Sequence, residues 1–308
     1  VAHAGHLVHM PSHIYINTGD YHLGSLANIN ALKQDSMYVT QCHAYGAYPL
    51  AYYPHNYHFL AATATLEGKY SWAIDAAEKM AQHVNHKGML IPDLATLQHF
   101  YAIPYFIRIK FGKWDEILRI GAPDTALIYP QAIRHYARGM AYVGKGDIEH
   151  AREELDALRR IGSLDTLQKL TIWGINTLAS VTDIAQQVLE AEILAASGQY
   201  DNAVQLLTKA VALEDQLNYN EPPDWFFSVR HILGHELLRA GKPEEAIAVY
   251  EADLMNFPKN GWALSGLAKA QQAAHQSDKS AETEKLFKTA WAYADVPLDG
   301  SVVAEEQK

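Results

Sequence analysis

The fold class predicted is all-α: a superhelical α-α solenoid of about seven helical hairpins. Three observations predict it. A short turn signal recurs six times: TGDY around Gly19, EGKY around Gly68, FGKW around Gly112, KGDI around Gly146, SGQY around Gly198 and AGKP around Gly241. Five residues after each glycine stands Gly24, Ala73, Ile117, Ala151, Ala203 or Ala246, and seven before it Ser12, Ala61, Tyr105, Gly139, Ala191 or Gly234. Mostly small residues on both sides of a tight turn suit two closely crossing antiparallel helices. Finally, the flanking segments carry apolar residues at helical spacing, such as Ala203, Leu206, Leu207 and Ala210, and no strand-like alternation competes.

The turn glycines are separated by 49, 44, 34, 52 and 43 residues, so most units carry extra connecting residues. The third is the weakest, because Tyr105 and Ile117 break the small-residue rule. A seventh hairpin is expected from Gly261 to Tyr293. Residues 1–295 form the array and 296–308 read as a polar C-terminal tail. The first helix starts almost at Val1 with no capping hairpin before it, and solenoids need polar caps. Further repeats are therefore expected upstream in a longer chain.

Composition narrows the partners. Hydrophobic residues are 49% and charged residues 19%, normal for a folded domain. A net charge of −10 argues against a nucleic-acid partner. No apolar run is long enough to span a membrane. The single cysteine, Cys42, excludes an intrachain disulfide or a thiolate-rich zinc site, and beside His43 it reads as a buried or incidental thiol.

The pattern resembles the tetratricopeptide repeat, with its 34-residue unit and glycine between the two helices. The best match is SVRHILGHELLRAGKPEEAIAVYEADLMNFPKN, ending in Pro258. By that resemblance the first helix of each hairpin lines a concave groove. Its ligand-facing positions lie 13, 10 and 6 residues before the turn glycine, on one helix face. Those 18 slots contain eight histidines, His6, His9, His13, His55, His58, His99, His231 and His235, where 16 histidines in 308 residues predict about one.

Imidazole is the commonest metal-ligating side chain and titrates near neutrality. His9 and His13 with His55 and His58 form two pairs on adjacent first helices, a set suited to Zn, Cu or Fe rather than Mg or Ca. His231 with His235 makes only a two-ligand pair. The competing reading is hydrogen-bonded packing histidines, or recognition of a polar or anionic ligand. Pro11 bears on the choice: if the helix begins afresh there, His9 and His13 no longer share a face. Pro104 sits at the same offset in the third hairpin and frees the Phe100 carbonyl. Asp20, the nearest carboxylate, reads as the cap of the following helix. Other groove candidates are Tyr53, Asn56, Tyr136 and Trp225, the last in the aromatic loop NEPPDWFF.

The phrases GHLVHMPSHIYINTGDY, YYPHNYHFLAATATLEGKY and EPPDWFFSVRHILGHELLRAGKPEEAIAVY resemble, more narrowly, a family of bacterial tetratricopeptide-repeat proteins. That family carries an HLVHMPSHIY helix followed by a PHN-x-HFL helix, and its motif residues here are His6, His9, His13, His55 and His58. Its members are longer, this chain matching their C-terminal part, and many are exported. The resemblance thus implies a periplasmic or secreted protein but supplies no chemistry. The function expected is a binding scaffold whose histidine-lined groove takes a transition metal, a partner protein segment, or both. The alternative is a metal-dependent enzyme with a His-ligated Zn, Cu or Fe centre. Metal affinity is expected to fall steeply below about pH 6 as imidazoles protonate.

Overall fold

The computed structural model describes residues 5–42 and 52–303; the Cys42 side chain and His43 lie outside the described residues. Among the described residues seven antiparallel hairpins follow one another. They pair α2 (Pro11–Thr18) with α3 (Tyr21–Cys42), α4 (Tyr53–Leu66) with α5 (Tyr70–His83), and α7 (Thr96–Lys110) with α8 (Trp114–Arg119). Next come α9 (Ile128–Gly144) with α10 (Ile148–Gly162) and α12 (Leu178–Ala196) with α13 (Tyr200–Asp215). The last two pair α14 (Arg230–Arg239) with α15 (Pro243–Asn256) and α16 (Gly261–Ala273) with α17 (Ser277–Ala290). Short helices α1 (Gly5–His9), α6 (His86–Met89) and α11 (Asp165–Lys169) occupy the additional residues.

All six predicted turn glycines adopt φ between 64° and 77°, a left-handed conformation that costs a side-chain-bearing residue more. The seventh turn uses His275 at φ 60° instead. The small residues have the expected cause. A Cβ on Gly234 would lie 2.3 Å from the Tyr250 ring, so α14 and α15 cross at glycine distance. Each hairpin packs on the next through apolar faces, and Phe59, Phe100, Ile133, Val188 and Trp262 are fully buried. Besides the short helices α6 and α11, a two-stranded antiparallel ribbon was not foreseen: β1 (Thr171–Ile172) and β2 (Asn176–Thr177), before α12. Two residues per strand are too few to show alternation.

The array turns far enough for its ends to touch. Tyr21 donates to the Pro258 carbonyl (2.8 Å), and Trp262 Nε1 to the Thr65 carbonyl (2.9 Å). Asp20 does not cap α3; it pairs with Lys259 across the closure (2.8 Å). Asp295 accepts from the amides of Tyr70 (2.7 Å) and Ser71 (3.0 Å), so the start of α5 is capped from the far end of the chain. The Trp291 ring covers the turn at Gly68.

Residues 296–303 do not trail free as a polar tail. Val296, Leu298 and Val303 pack on the core, and the buried Ser301 donates to the His231 carbonyl (2.6 Å). These three apolar side chains give this segment something to bury. Among the described residues no helix is long and apolar enough to cross a membrane.

Candidate functional site

The loop from Asn220 to Ser228 contributes lining residues to two cavities. Asp224 fixes the loop to β2 through Asn176 (2.7 Å) and to its own start through Asn220 (2.7 Å). On one side the loop presents Glu221 to the N-terminal histidines; on the other it inserts Trp225 and Phe226, both buried. The two cavities measure about 530 Å³ beside the histidines and about 640 Å³ beyond Trp225.

At the first, one nitrogen from each of His9, His13 and His55 lies within 4.8 Å of the others. Pro11 does restart the helix, as the first residue of α2, yet Met10 between the two helices keeps right-handed helical angles (φ −48°, ψ −38°). His9 and His13 therefore stay one turn apart, and their Nε2 atoms meet at 3.0 Å. Hydrogen-bond logic fixes the tautomer of His9. The Asn28 amide nitrogen donates to the Gly24 carbonyl (2.8 Å), which leaves Asn28 Oδ1 facing His9 Nδ1 (2.7 Å). That oxygen can only accept, so His9 carries its proton on Nδ1 and its Nε2 lone pair is bare. His13 Nδ1 likewise donates to the Glu221 carboxylate. Two imidazole lone pairs at this separation repel unless a cation, a metal ion or a proton, lies between them.

Burial sets the charge state. It lowers His9 to about 4, an effect only partly offset by the Asn28 hydrogen bond. Burial, then the proximity of His9, His13 and His6, lowers His55 to about 3. Burial would raise Glu221, but hydrogen bonds from His13, Tyr219 and Asn17 outweigh it and hold the carboxylate below its usual range. The trio is thus neutral at His9 and His55 and faces one acceptor-only anion. The donor set of imidazoles with a carboxylate behind one of them suits a borderline transition metal.

His58, expected as a fourth ligand, lies outside the trio. It turns into the core, where Phe226 stacks on it (5.2 Å, 12° between rings) and His99 stands at 5.6 Å. Among the groove candidates, His6 lines the 530 Å³ cavity. His99 is buried against the Tyr129 hydroxyl (3.1 Å). Tyr53 is buried against Tyr57 (3.2 Å), and its neighbour Tyr52 reaches the cavity instead. Asn56 ties α4 to α3 by donating to Asp35 (2.6 Å). His231 is sealed within the structure: Lys110 Nζ donates to its Nδ1 (2.9 Å), and its Nε2 donates to Asp253 (3.0 Å). Tyr136, Trp225 and His235 line the 640 Å³ cavity.

Sequence reasoning missed Glu221, Asn28, Tyr219 and Trp173. The last sits in the β1–β2 turn, 6.4 Å from the His55 ring. The aromatic loop was the only signal, and it pointed to Trp225 rather than Glu221.

No family model matches the chain, and no curated protein does. Among solved structures, a tetratricopeptide repeat protein from Parabacteroides merdae is similar over 93% of each chain, at 13% identity and a TM-score of 0.42.

Proposed function

We propose that this hairpin array is a binding scaffold that holds one transition-metal ion, Zn, Cu or Fe, on His9, His13 and His55. The observation that carries the reading is the pair of Nε2 atoms at 3.0 Å, with the partners of both Nδ1 atoms fixed by Asn28 and Glu221. Imidazoles oriented from behind by an amide oxygen and a carboxylate are built as metal ligands generally are. Around the site Tyr52, Trp173 and Tyr219 are 42%, 43% and 75% exposed, and these rings offer a surface for a protein or peptide partner. A periplasmic or secreted location belongs to the same proposal, on the strength of the family resemblance alone, and cell fractionation checks it.

The competing explanation of the short contact is a proton: His13 charged on both nitrogens, donating to Glu221 and to His9. Metal analysis of protein purified without a histidine tag separates the two. Close to one ion per chain is expected, lost in His9→Ala, retained in His58→Ala, and bound 10–100-fold more weakly in Glu221→Gln. Absence of metal that no added Zn, Cu or Fe restores sinks the reading in favour of the proton. A second reading, a metal-dependent enzyme, is favoured by the cavity beside a three-histidine set, since three protein ligands with an open position mark catalytic sites. An exchangeable metal-bound water, seen by spectroscopy, supports it; a closed coordination sphere removes it.

A further inference from the structure

The second cavity, of about 640 Å³, shares no lining residue with the histidine site. It lies among the inner helices α7, α9, α12 and α14, and its volume suits a small organic ligand. One wall is aromatic. Phe106, Tyr136 and Trp225 adjoin one another with ring centres 5.6–6.2 Å apart. Two acidic residues, Glu192 from α12 and Glu236 from α14, line the same cavity. Each has one oxygen, Glu192 Oε1 and Glu236 Oε2, that is buried with no hydrogen-bond donor among the described residues. Glu236 itself is fully buried, its other oxygen accepting from Arg239 (2.9 Å).

We propose that this cavity binds a small organic ammonium ion with an apolar body, its charged head on Glu192 and Glu236 and its body against Phe106, Tyr136 and Trp225. An ammonium supplies the donors that both orphaned oxygens lack, and aromatic faces attract a desolvated cation. A neutral apolar guest leaves the two oxygens unpaired, and an anion adds to the repulsion between the carboxyls.

Charge bookkeeping adds a signature. Burial, then the proximity of Glu236, raises Glu192 to about 8, and burial raises Glu236 in spite of Arg239. Nearby, burial and the neighbouring cations Arg239 and Lys269 lower His235 to about 4, and burial lowers Lys110 to about 7. Tyr136 is pushed well above its usual range by burial and by Glu192. Without a guest, then, the two carboxyls hold a proton at pH 7 that an incoming cation displaces.

Calorimetric titration of the whole chain with 2-phenylethylammonium, 2-phenylethanol and phenylacetate tests this. The amine is expected to bind saturably, at least tenfold more tightly than the alcohol, and to release close to one proton at pH 7, read from the difference between phosphate and Tris buffers. Glu192→Gln is expected to weaken the amine at least tenfold and to leave the alcohol unchanged, with the helical circular dichroism intact. Equal affinity for amine and alcohol, preference for the acid, or no saturable binding by the amine overturns the proposal, and the wild-type comparison needs no variant to fold.

Discussion

Which histidine does what is decided here by its second nitrogen. His9 and His13 have one nitrogen bonded outward, to Asn28 and Glu221, and the other turned inward; His231 has both nitrogens occupied by Lys110 and Asp253. The clustering of imidazoles was legible in the sequence because helical spacing of three and four is local information. The roles were not, because the deciding partners stand 19 and 208 residues away. The same burial fixes a pH dependence. His99 is lowered to about 3 by burial, and His58 well below its usual value by burial and then by His99 and His55. A histidine whose folded value is depressed stabilises fully above its unfolded value near 6.5, and that contribution is lost as pH falls toward the folded value. Each such group makes unfolding easier by about 1.4 kcal/mol per pH unit within that window. Urea unfolding at pH 7, 6 and 5 should therefore show falling stability, with a shallower slope in His99→Leu; equal stability at pH 7 and 5 contradicts the neutral-core assignment. For the proposed metal site, neutral His9 and His55 shift the expected loss of metal from about pH 6 toward pH 4, which metal retention after dialysis at pH 7, 5.5 and 4 measures.

The helices and their turns were the most legible part of the structure, since glycine at a left-handed turn and small residues at a crossing are both sequence-local requirements. Two substitutions separate those requirements. Gly146→Ala meets nothing within 4 Å among the described residues and suffers from φ 76°, so a loss of about 1 kcal/mol is expected. Gly234→Ala instead drives a methyl into the fully buried Tyr250 ring and should cost roughly 1–3 kcal/mol, as overpacking does. Denaturant midpoints of the two variants check the order, and a reversed order removes the close-crossing explanation. The β1–β2 ribbon, α6 and α11 escaped notice because each is too short for a period to register. They fill the longer spacings of the repeat, and the ribbon's turn is what brings Trp173 to His55.

The number of hairpins could be counted from the sequence, but the meeting of the two ends could not. Closure depends on the small rotation added by each unit, and no local pattern encodes that sum. Its parts look ordinary in isolation: Asp20 reads as a cap, Pro258 as a repeat terminator, Asp295 as the last residue before a tail. Together they join α2–α5 to α15–α17. Trp262 is fully buried at this junction, with Phe111 at 5.4 Å and Trp291 at 5.2 Å. Trp262→Ala should cost about 3–5 kcal/mol. Because the junction is shared, it should lower one common transition, followed by circular dichroism and by fluorescence, rather than melt the last hairpin alone. Two separated transitions in the native protein contradict that coupling.

Most helical-repeat chains behave as springs, lengthening or tightening as a guest enters. The contacts that join α2–α5 to α15–α17 are expected to restrain such bending in the described array, so exchange of a proposed guest is expected to depend on these contacts and on the loop from Asn220 to Ser228. Slowing or speeding guest exchange is then a matter of how firmly Asp295 and Trp291 hold the first turns, at positions touching neither chamber.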